Sequence, residues 1–413
     1  MKKKHFDSII VTIIVFAIIG IFYLIPLKTG ILDPLAKAIS DFDIYDLVFS
    51  RLRTEQKADT NIVIVNVGNL DRAGLAGQID TLNKYHPKVI ALDIFFQGEK
   101  DPHGDSLLST ALSKCRNIVM VSMLDRYNED KDSYDTMITS SPQFLGNAET
   151  GYANFPEDEK GGYRTIRGLR PFAFYKDKKE MAFPIRIVEA AVNNKYLSFL
   201  KRGNDIEIIN YRGNFNKFYY LDTYNLLEGN FNRSLIKNKI VLMGYMGENL
   251  NTKVLEDIFY TPLNENYAGR SFPDMYGVVI NANIVSMLLG GSFIDRMPYY
   301  LSVPIAVVFC LLCTLGLFTI KSKYRDWFGA AFKWFILLVT ILELDLGVNI
   351  FNYFNYKINL TLLLAAVVLI PACIDLYQNY IEKWLFKKVL KMDIERKDEI
   401  SQAHSDNTSG PRL

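Results

Sequence analysis

Three aspartates stand where short carboxylates can bind a small molecule or a cation. Asp93 ends a buried apolar strand, and Asp105 and Asp257 come later in the same soluble region. In open parallel sheets, ligands bind in the crevice beyond the carboxyl ends of the strands. We therefore name Asp93, Asp105 and Asp257 as candidate ligand-binding residues. The alternative interpretation is that these carboxylates cap helices or hold loops, as short acidic side chains often do.

Other patterns that carry chemistry do not take the form that catalysis or metal binding needs. No histidine has a metal-ligand spacing with cysteine or with another histidine. The histidines are His5, His86, His103 and His404. The stretch Gly244-Tyr-Met-Gly247 lacks the Gly-Lys-Ser/Thr ending of a phosphate loop, and the chain has no Gly-x-Ser-x-Gly elbow. We predict no catalytic residue, no metal site, no cofactor and no enzymatic activity.

Two further carboxylates, Glu343 and Asp345, lie inside an apolar segment near the carboxyl terminus. Carboxylates within a membrane are costly and indicate function by default, for example in transport. At about 1.5 Å per residue, the count from Phe328 places them in the outer third of a membrane helix. The alternative interpretation is structural, with the two side chains reaching the headgroups or pairing with another helix.

The elements that position the aspartates form an alternating pattern. Short, β-branched apolar runs predict strands buried on both faces, and apolar residues at helical spacing predict helices between them. The predicted strands are 61–67, 88–92, 117–121, 205–209 and 239–243, and the predicted helices are 70–85, 105–114, 182–193 and 277–289. Strands that alternate with helices indicate a mixed α/β domain with a mainly parallel sheet.

Four apolar runs predict transmembrane helices, at 9–25, 299–320, 328–350 and 358–376. An uncleaved N-terminal anchor is favoured over a signal peptide, because a cleaved signal has a shorter apolar run and small residues close behind it. The predicted layout is a cytoplasmic N-terminus with the first helix, a soluble domain, three more helices and a cytoplasmic tail. Its ranges are 1–27, 28–297, 298–320, 328–350, 358–377 and 378–413.

Lysine and arginine residues predict the direction of the helices, since cytoplasmic loops are enriched in them. Basic clusters precede the first run, join the second run to the third, and follow the fourth. The loop at 351–357 has one lysine and several aromatic residues, as expected for the outer interface. Both termini are therefore predicted to be cytoplasmic, with residues 28–297 outside the plasma membrane, in a bacterium on its periplasmic or outer side.

Composition excludes two classes of protein. The formal net charge of +2 over 413 residues gives no basic face of the kind that binds nucleic acid. Of the four cysteines, only Cys115 lies in the soluble region, so a disulfide scaffold is excluded there. The hydrophobic content of 49% fits apolar membrane segments beside an ordinary soluble domain.

Several stretches, in order across roughly residues 40–290, resemble the type 2 CHASE domain, an extracytoplasmic sensing domain of bacterial signalling proteins. They are Val89-Ile-Ala-Leu-Asp93-Ile-Phe-Phe, Gly151-Tyr-Ala-Asn-Phe, Gly162-Tyr-Arg-Thr-Ile-Arg167, Asn210-Tyr-Arg-Gly213, Lys239-Ile-Val-Leu-Met-Gly244, Glu256-Asp-Ile-Phe-Tyr-Thr-Pro262 and Met275-Tyr-Gly-Val-Val-Ile-Asn-Ala-Asn283. The resemblance extends to the flanking layout of one helix before the sensor and three after it. It implies an α/β domain that detects a stimulus.

The sequence departs from the family pattern in two places. Asn281 stands where the family often has histidine, so the role of that histidine does not transfer. Only about 35 residues follow Leu376, whereas a catalytic output domain needs about 100 or more. We therefore expect a sensor without its own output domain. We expect helix 277–289, which carries Asn281 and Asn283, to transmit the signal to the second membrane helix.

The sequence thus favours a membrane-anchored sensor for an unknown small-molecule or physical stimulus. Its expected partners are the lipid bilayer and either a separate signalling protein or a second copy of the chain. The alternatives are a structural protein of envelope assembly and a transport-associated component.

Overall fold

The computed structural model describes residues 2–24, 43–156, 165–192, 195–250, 256–264, 272–323 and 328–384. The chain forms two units. One comprises residues 1–31 and 296–413, and the other comprises residues 32–295. Of the predicted tail at 378–413, only residues 378–384 are among those described.

The α-helices are numbered in chain order. They are α1 (Lys2–Leu24), α2 (Ile44–Leu47), α3 (Arg72–Lys84), α4 (Pro102–Ser113), α5 (Pro142–Leu145), α6 (Phe183–Ala191), α7 (Lys195–Leu200), α8 (Thr223–Leu227), α9 (Gly277–Gly290), α10 (Tyr299–Lys323), α11 (Phe328–Phe354) and α12 (Leu360–Leu376). Short π-helical turns at Val48–Leu52 and Tyr377–Ile381 continue α2 and α12, and 3₁₀ turns lie at Phe215–Lys217 and Arg233–Leu235.

The strands are numbered in the same way. They are β1 (Asp59–Asn66), β2 (Val89–Asp93), β3 (Ile118–Asn128), β4 (Ser133–Ile138), β5 (Glu149–Tyr152), β6 (Gly168–Leu169), β7 (Phe172–Tyr175), β8 (Lys178–Met181), β9 (Glu207–Ile208), β10 (Phe218–Leu221), β11 (Ile240–Gly244), β12 (Ile258–Phe259), β13 (Met275–Tyr276), β14 (Asp295–Arg296) and β15 (Tyr356–Lys357).

A nine-stranded sheet forms the centre of the 32–295 unit. Its order is β10-β1-β11-β2-β3-β4-β7-β8, and β5 also pairs with β3. The pairs from β10 through β3, and β3 with β5, are parallel, whereas β3–β4 and β7–β8 are antiparallel. The predicted mixed α/β fold with a mainly parallel sheet is therefore confirmed.

Both faces of the central strands are covered. Alternate residues such as Val63, Val241 and Leu92 belong to one buried apolar cluster with side chains of α3 and α4. The residues between them, such as Ile64 and Leu242, are also fully buried, and α6 and α9 pack on the strands outside that cluster. This double coverage explains why the strands read as continuous apolar runs.

Helix α9 is buried over nearly its whole length. All residues from Gly277 to Leu288 are buried, as expected for a helix that is apolar on every side. It lies so close to the end of β11 that a Cβ atom added at Gly244 would come within 2.6 Å of the Val278 Cβ. The prediction of a helix at 277–289 is confirmed, and the observed helix runs one residue further.

The other unit contains four helices that are long and apolar enough to cross a membrane: Lys3–Leu24, Tyr299–Lys323, Phe332–Phe354 and Leu360–Trp384. α1, α10 and α12 share a buried cluster that includes Val11, Cys310 and Cys373. The four predicted spans correspond to these helices, which extend beyond the predicted apolar runs at the start of α1 and at the ends of α10, α11 and the fourth span.

Polar contacts join the ends of three of these helices. The Tyr377 hydroxyl donates to Asp7 Oδ1 at 2.6 Å, and Lys3 pairs with Glu382 at 2.9 Å. Lys321 donates to Gln378. The amino end of α1 therefore lies beside the carboxyl ends of α10 and α12.

Candidate functional site

A cavity of about 340 Å³ lies at the carboxyl end of β2, along residues 121–125 of β3 and beside the first two turns of α9. This is where open parallel sheets bind their ligands. Its walls include Asp93 and Asp257, two of the three aspartates predicted to bind ligand, and Asn281 from α9. The elements that meet here are far apart in sequence, so the tertiary fold creates the site.

Asp93 is the last residue of β2 and is paired in register with Gly244 of β11. The Asp93 side chain therefore lies at the carboxyl end of this central strand, where it is partly exposed to the cavity. Burial raises the pKa of Asp93 to about 6, against the opposing effect of a hydrogen bond from Asn281. The carboxyl group can therefore exchange a proton near neutral pH.

Asn281 occupies the second turn of α9 and is 2% exposed. Its Nδ2 donates to Asp93 Oδ2 at 2.9 Å. An ionised carboxylate can only accept hydrogen bonds, so the amide nitrogen must face it. The Oδ1 atom of Asn281 is buried and accepts no hydrogen bond from any described residue. Such unsatisfied buried atoms are uncommon in native proteins.

Asp257 lies against the amino end of α9. Its backbone has a φ of 53°, and its carbonyl accepts a hydrogen bond of 3.1 Å from the Gly277 N–H. A Cβ atom added at Gly277 would come within 3.1 Å of the Asp257 carboxylate. The helix has no side-chain cap at Tyr276, so this carboxylate supplies negative charge where the helix dipole favours it.

The cavity walls also contain residues that were not predicted as site residues. Asn154 braces β3 because its Oδ1 accepts from the Leu124 N–H and its Nδ2 donates to the Leu124 carbonyl, both at 2.8 Å. Phe155 and Phe259 pack edge to face, with ring centroids 5.4 Å apart. Asn154 and Phe155 belong to the Gly-Tyr-Ala-Asn-Phe stretch, so that motif was the available signal.

The third predicted aspartate, Asp105, does not line this cavity among the described residues. It lies in the first turn of α4 and accepts a 2.5 Å bond from Arg72. It also accepts the Lys100 N–H at 3.1 Å. The Arg72 guanidinium holds the pKa of Asp105 below its usual range. The structure therefore brings Asp93 and Asp257 together, and Asp105 is part of an ion pair that ties α3 to α4.

Asn283, two residues beyond Asn281, has a saturated amide. Its Oδ1 accepts the N–H groups of Arg212 and Gly213 at 2.7 and 3.3 Å. Its Nδ2 donates to the carbonyls of Gly213 and Val279, both at 2.9 Å. Asn283 therefore holds the Asn210–Gly213 stretch against α9.

The same stretch is held at further points along α9. Arg212 Nε donates to Ser286 Oγ at 2.9 Å, and Ser286 Oγ donates to Asp59 Oδ2 at 2.6 Å. Asn210 Nδ2 donates to the Ser292 carbonyl at 2.9 Å. The second half of α9 and the residues just after it are thus joined to the 210–213 stretch by polar side chains.

The segment that follows the first membrane helix in the chain reaches this same region of the unit. Arg53 donates to Asn210 Oδ1 at 2.5 Å, and the Phe49 and Tyr211 rings meet edge to face at 6.2 Å. Asp46 accepts hydrogen bonds from Arg167 at 3.0, 3.2 and 2.5 Å. Residues 43–53 and residues 287–292 are therefore tied to one common stretch of chain.

The two predicted intramembrane carboxylates differ in their surroundings. Both lie on α11. Glu343 is 5% exposed, and neither of its carboxylate oxygens has a hydrogen-bond partner among the described residues. Asp345 is exposed on the surface of the helix unit. The predicted pairing of Glu343 with another helix is therefore not seen within the described part of the chain.

Within the described residues, no group of three or more His, Cys, Asp or Glu side chains is arranged to hold a metal ion. The cavity lining described here contains no histidine and no cysteine. Its polar side chains are carboxylates, amides and the Ser122 hydroxyl, and its apolar walls include phenylalanine rings.

The chain is similar to one family of known proteins. The family model of the CHASE2 domain matches residues 13–321 of the 413. This is an extracellular sensory domain family of signalling proteins. No curated protein and no solved structure gives a significant match.

Proposed function

Since the chain belongs to the CHASE2 domain family, we propose that it is a membrane-anchored sensor of bacterial signal transduction. In this proposal the cavity at Asp93 and Asn281 binds the stimulus, and the chain itself has no catalytic activity. The cavity has the volume of a small-molecule site, a few convergent polar groups and a partly buried carboxylate with a raised pKa. Such a combination is the default ligand site of a structure.

One observation carries the proposal: a single buried helix, α9, contacts both the cavity and the segments that continue toward the membrane helices. Asn281 lies in the cavity wall, and Asn283 and Ser286 bind the 210–213 stretch. That stretch also binds residues 43–53 and the Ser292 carbonyl. A shift of α9 on binding therefore changes contacts at both chain connections. The ligand must favour one of the two states, because otherwise nothing is transmitted.

We further propose that residues 28–297 are extracytoplasmic and that both termini are cytoplasmic. The lysines near the amino end of α1 lie beside the carboxyl ends of α10 and α12, as in the pairing of Lys3 with Glu382. This clustering of positive charge is typical of the cytoplasmic side. The signal then passes to a separate signalling protein or to a second copy of the chain.

Hydrogen exchange in the full-length protein in lipid nanodiscs tests the proposed path. Asp93→Asn places an amide opposite Asn281 and removes the acceptor-only carboxylate. We expect altered exchange not only at 89–93 and 277–283 but also at 43–53 and 287–292. The matched control is Asp80→Asn, which removes an exposed carboxylate that pairs with Lys114. This pair lies near the amino ends of β2 and β3, away from the cavity. A change confined to the cavity would contradict the proposal, as would an equal response to Asp80→Asn.

Affinity capture of the tagged protein from its native membrane separates this function from a role in envelope assembly. A kinase, cyclase or response regulator whose recovery changes with Asp93→Asn supports signalling through a partner. Recovery of envelope proteins alone, unchanged by the substitution, supports the structural alternative.

A transport-associated role is the second candidate, favoured by the buried carboxylate of Glu343. Its oxygens have no partner within the described residues, and such groups mark ion or substrate paths in membranes. Glu343→Gln with Asp345→Asn is the discriminating variant. Loss of a transport activity with the cavity still responsive supports transport, and an unchanged activity excludes it.

A further inference from the structure

The cavity has a strongly one-sided charge. Three carboxylates line it, those of Asp93, Asp125 and Asp257, and its described lining contains no lysine or arginine. Asp93 lies at the end of a buried strand, whereas Asp125 and Asp257 are exposed at the rim. Carboxylates concentrated in a cleft raise the local concentration of cations and disfavour anions.

Asn281, a buried polar side chain of the cavity lining, has an acceptor that no described residue uses. Asn281 is 2% exposed, and its Oδ1 has no hydrogen-bond partner among the described residues. Its nitrogen is already engaged by Asp93. What this part of the cavity lacks is therefore a hydrogen-bond donor. This observation is independent of the carboxylate charges and also favours a donor-bearing ligand.

The apolar part of the lining is aromatic. Phe95, Phe155 and Phe259 contribute to the walls, and the last two rings pack edge to face. Aromatic faces attract cations through the quadrupole of the ring and also cover the apolar part of a ligand. A bare metal ion has no use for such walls. In addition, no described cluster of three or more suitable ligands is present for a metal.

We propose that this cavity binds an organic ammonium ion, a primary amine carrying an apolar or aromatic body, with Asp93 and the Asn281 amide oxygen as the inner acceptors. The rim carboxylates of Asp125 and Asp257 attract the cation, and the phenylalanine rings hold its apolar part. The cavity volume of about 340 Å³ lies at the lower end of small-molecule sites. This inference names the ligand class for the site of the proposed function and rests on it.

The test uses three probes of nearly equal shape on the full chain in zwitterionic nanodiscs. They are 2-phenylethylamine, the neutral 2-phenylethanol and the anionic 3-phenylpropionate, each measured by calorimetry against empty nanodiscs. We expect the amine to bind and the alcohol and the acid not to bind. Asp93→Asn is expected to weaken amine binding by about 10-fold to 100-fold, the usual effect of removing one charge-assisted hydrogen bond. Asp80→Asn, which removes a carboxylate elsewhere, is expected to leave it unchanged.

The outcomes separate the ligand class from the function. If the alcohol or the acid binds more tightly than the amine and the binding is lost in Asn281→Ala, the cavity is a ligand site and the ammonium assignment is wrong. Binding of Ca²⁺ or Mg²⁺ that excludes the amine likewise overturns it in favour of a metal ion. If no probe binds and Asp93→Asn also leaves residues 43–53 and 287–292 unchanged in hydrogen exchange, both proposals fail. Hydrogen exchange of wild type and variants confirms that each is folded.

Discussion

The two asparagines of helix α9 lie two residues apart and are buried to nearly the same extent, 2% and 0% exposed, yet their surroundings are opposite. Asn283 makes four hydrogen bonds to backbone groups. Within the described residues, Asn281 makes one hydrogen bond through its side chain, to the carboxylate of Asp93, and keeps an unused acceptor. One region of the helix is closed, and the other is open to a further group.

The difference separates a residue that holds the fold from one that can respond to a ligand. Burial alone does not distinguish them, because both amides are out of contact with solvent. The number of satisfied donors and acceptors does, since an unsatisfied buried atom carries an energetic cost that only function is expected to retain.

The largest effect is expected on the closed side of the helix. Asn283→Ala leaves the buried N–H groups of Arg212 and Gly213 without an acceptor, so we expect a loss of about 3 kcal/mol in the local free energy of opening. Hydrogen exchange of residues 210–213 in the full-length protein measures it. Asn283→Leu, which keeps the volume, should lose as much. A small loss in the leucine variant would assign the effect to a packing defect instead.

On the open side of the helix, the ionisation of Asp93, the partner of Asn281, should make stability depend on pH. Asp93 has a folded pKa of about 6, above its value of about 3.9 in an unfolded chain. The folded state therefore binds the proton more tightly. The contribution of Asp93 to stability is fully present below about pH 4, falls as the pH rises to about 6 and is lost above it, a fall of about 3 kcal/mol for a pKa difference of about two units.

Pulsed hydrogen exchange of residues 240–244 during urea unfolding, repeated from pH 4 to pH 7, measures this fall. Asp274 has a pKa raised to about 6 by burial and contributes in the same window. Asp93→Asn should therefore reduce the fall without removing it. An unchanged pH profile in that variant would show that ionisation of Asp93 does not contribute to the pH dependence of stability.

The smallest effect is expected for Asn281→Ala. One hydrogen bond to Asp93 is lost, and an unsatisfied acceptor disappears with it, so we expect a change of about 1 kcal/mol or less. Hydrogen exchange of residues 277–283 measures it. A loss as large as that of Asn283→Ala would remove the distinction between the two regions.

The elements of the fold were predictable from local patterns, and the partners of its polar groups were not. Strands β1, β2 and β11 are recognisable in the sequence as short apolar runs rich in β-branched residues, because both faces of the sheet are covered. The irregular strands β4 to β8 were not predicted individually, since they are short and carry no continuous apolar run.

The candidate site shows why the prediction was incomplete. Asp93 and Asn281 are 188 residues apart in sequence, and only the packing of α9 on the sheet brings them together. Asp105 is predicted alongside Asp93 because both are short carboxylates of the same soluble region, although Asp105 begins a predicted helix and Asp93 ends a strand. Arg72, 33 residues earlier, engages Asp105 instead, and no sequence pattern distinguishes the two aspartates.

The sheet order also has a consequence for how the protein is made. Strand β11 is inserted between β1 and β2, although it is synthesised long after both. Until residues 240–244 have emerged, β1 and β2 each have an unpaired edge, and those edges are rich in β-branched residues that readily pair with other chains. Contacts between residues so distant along the chain form slowly. Insertion of β11 therefore completes the sheet and removes two edges on which the nascent domain can pair with another chain.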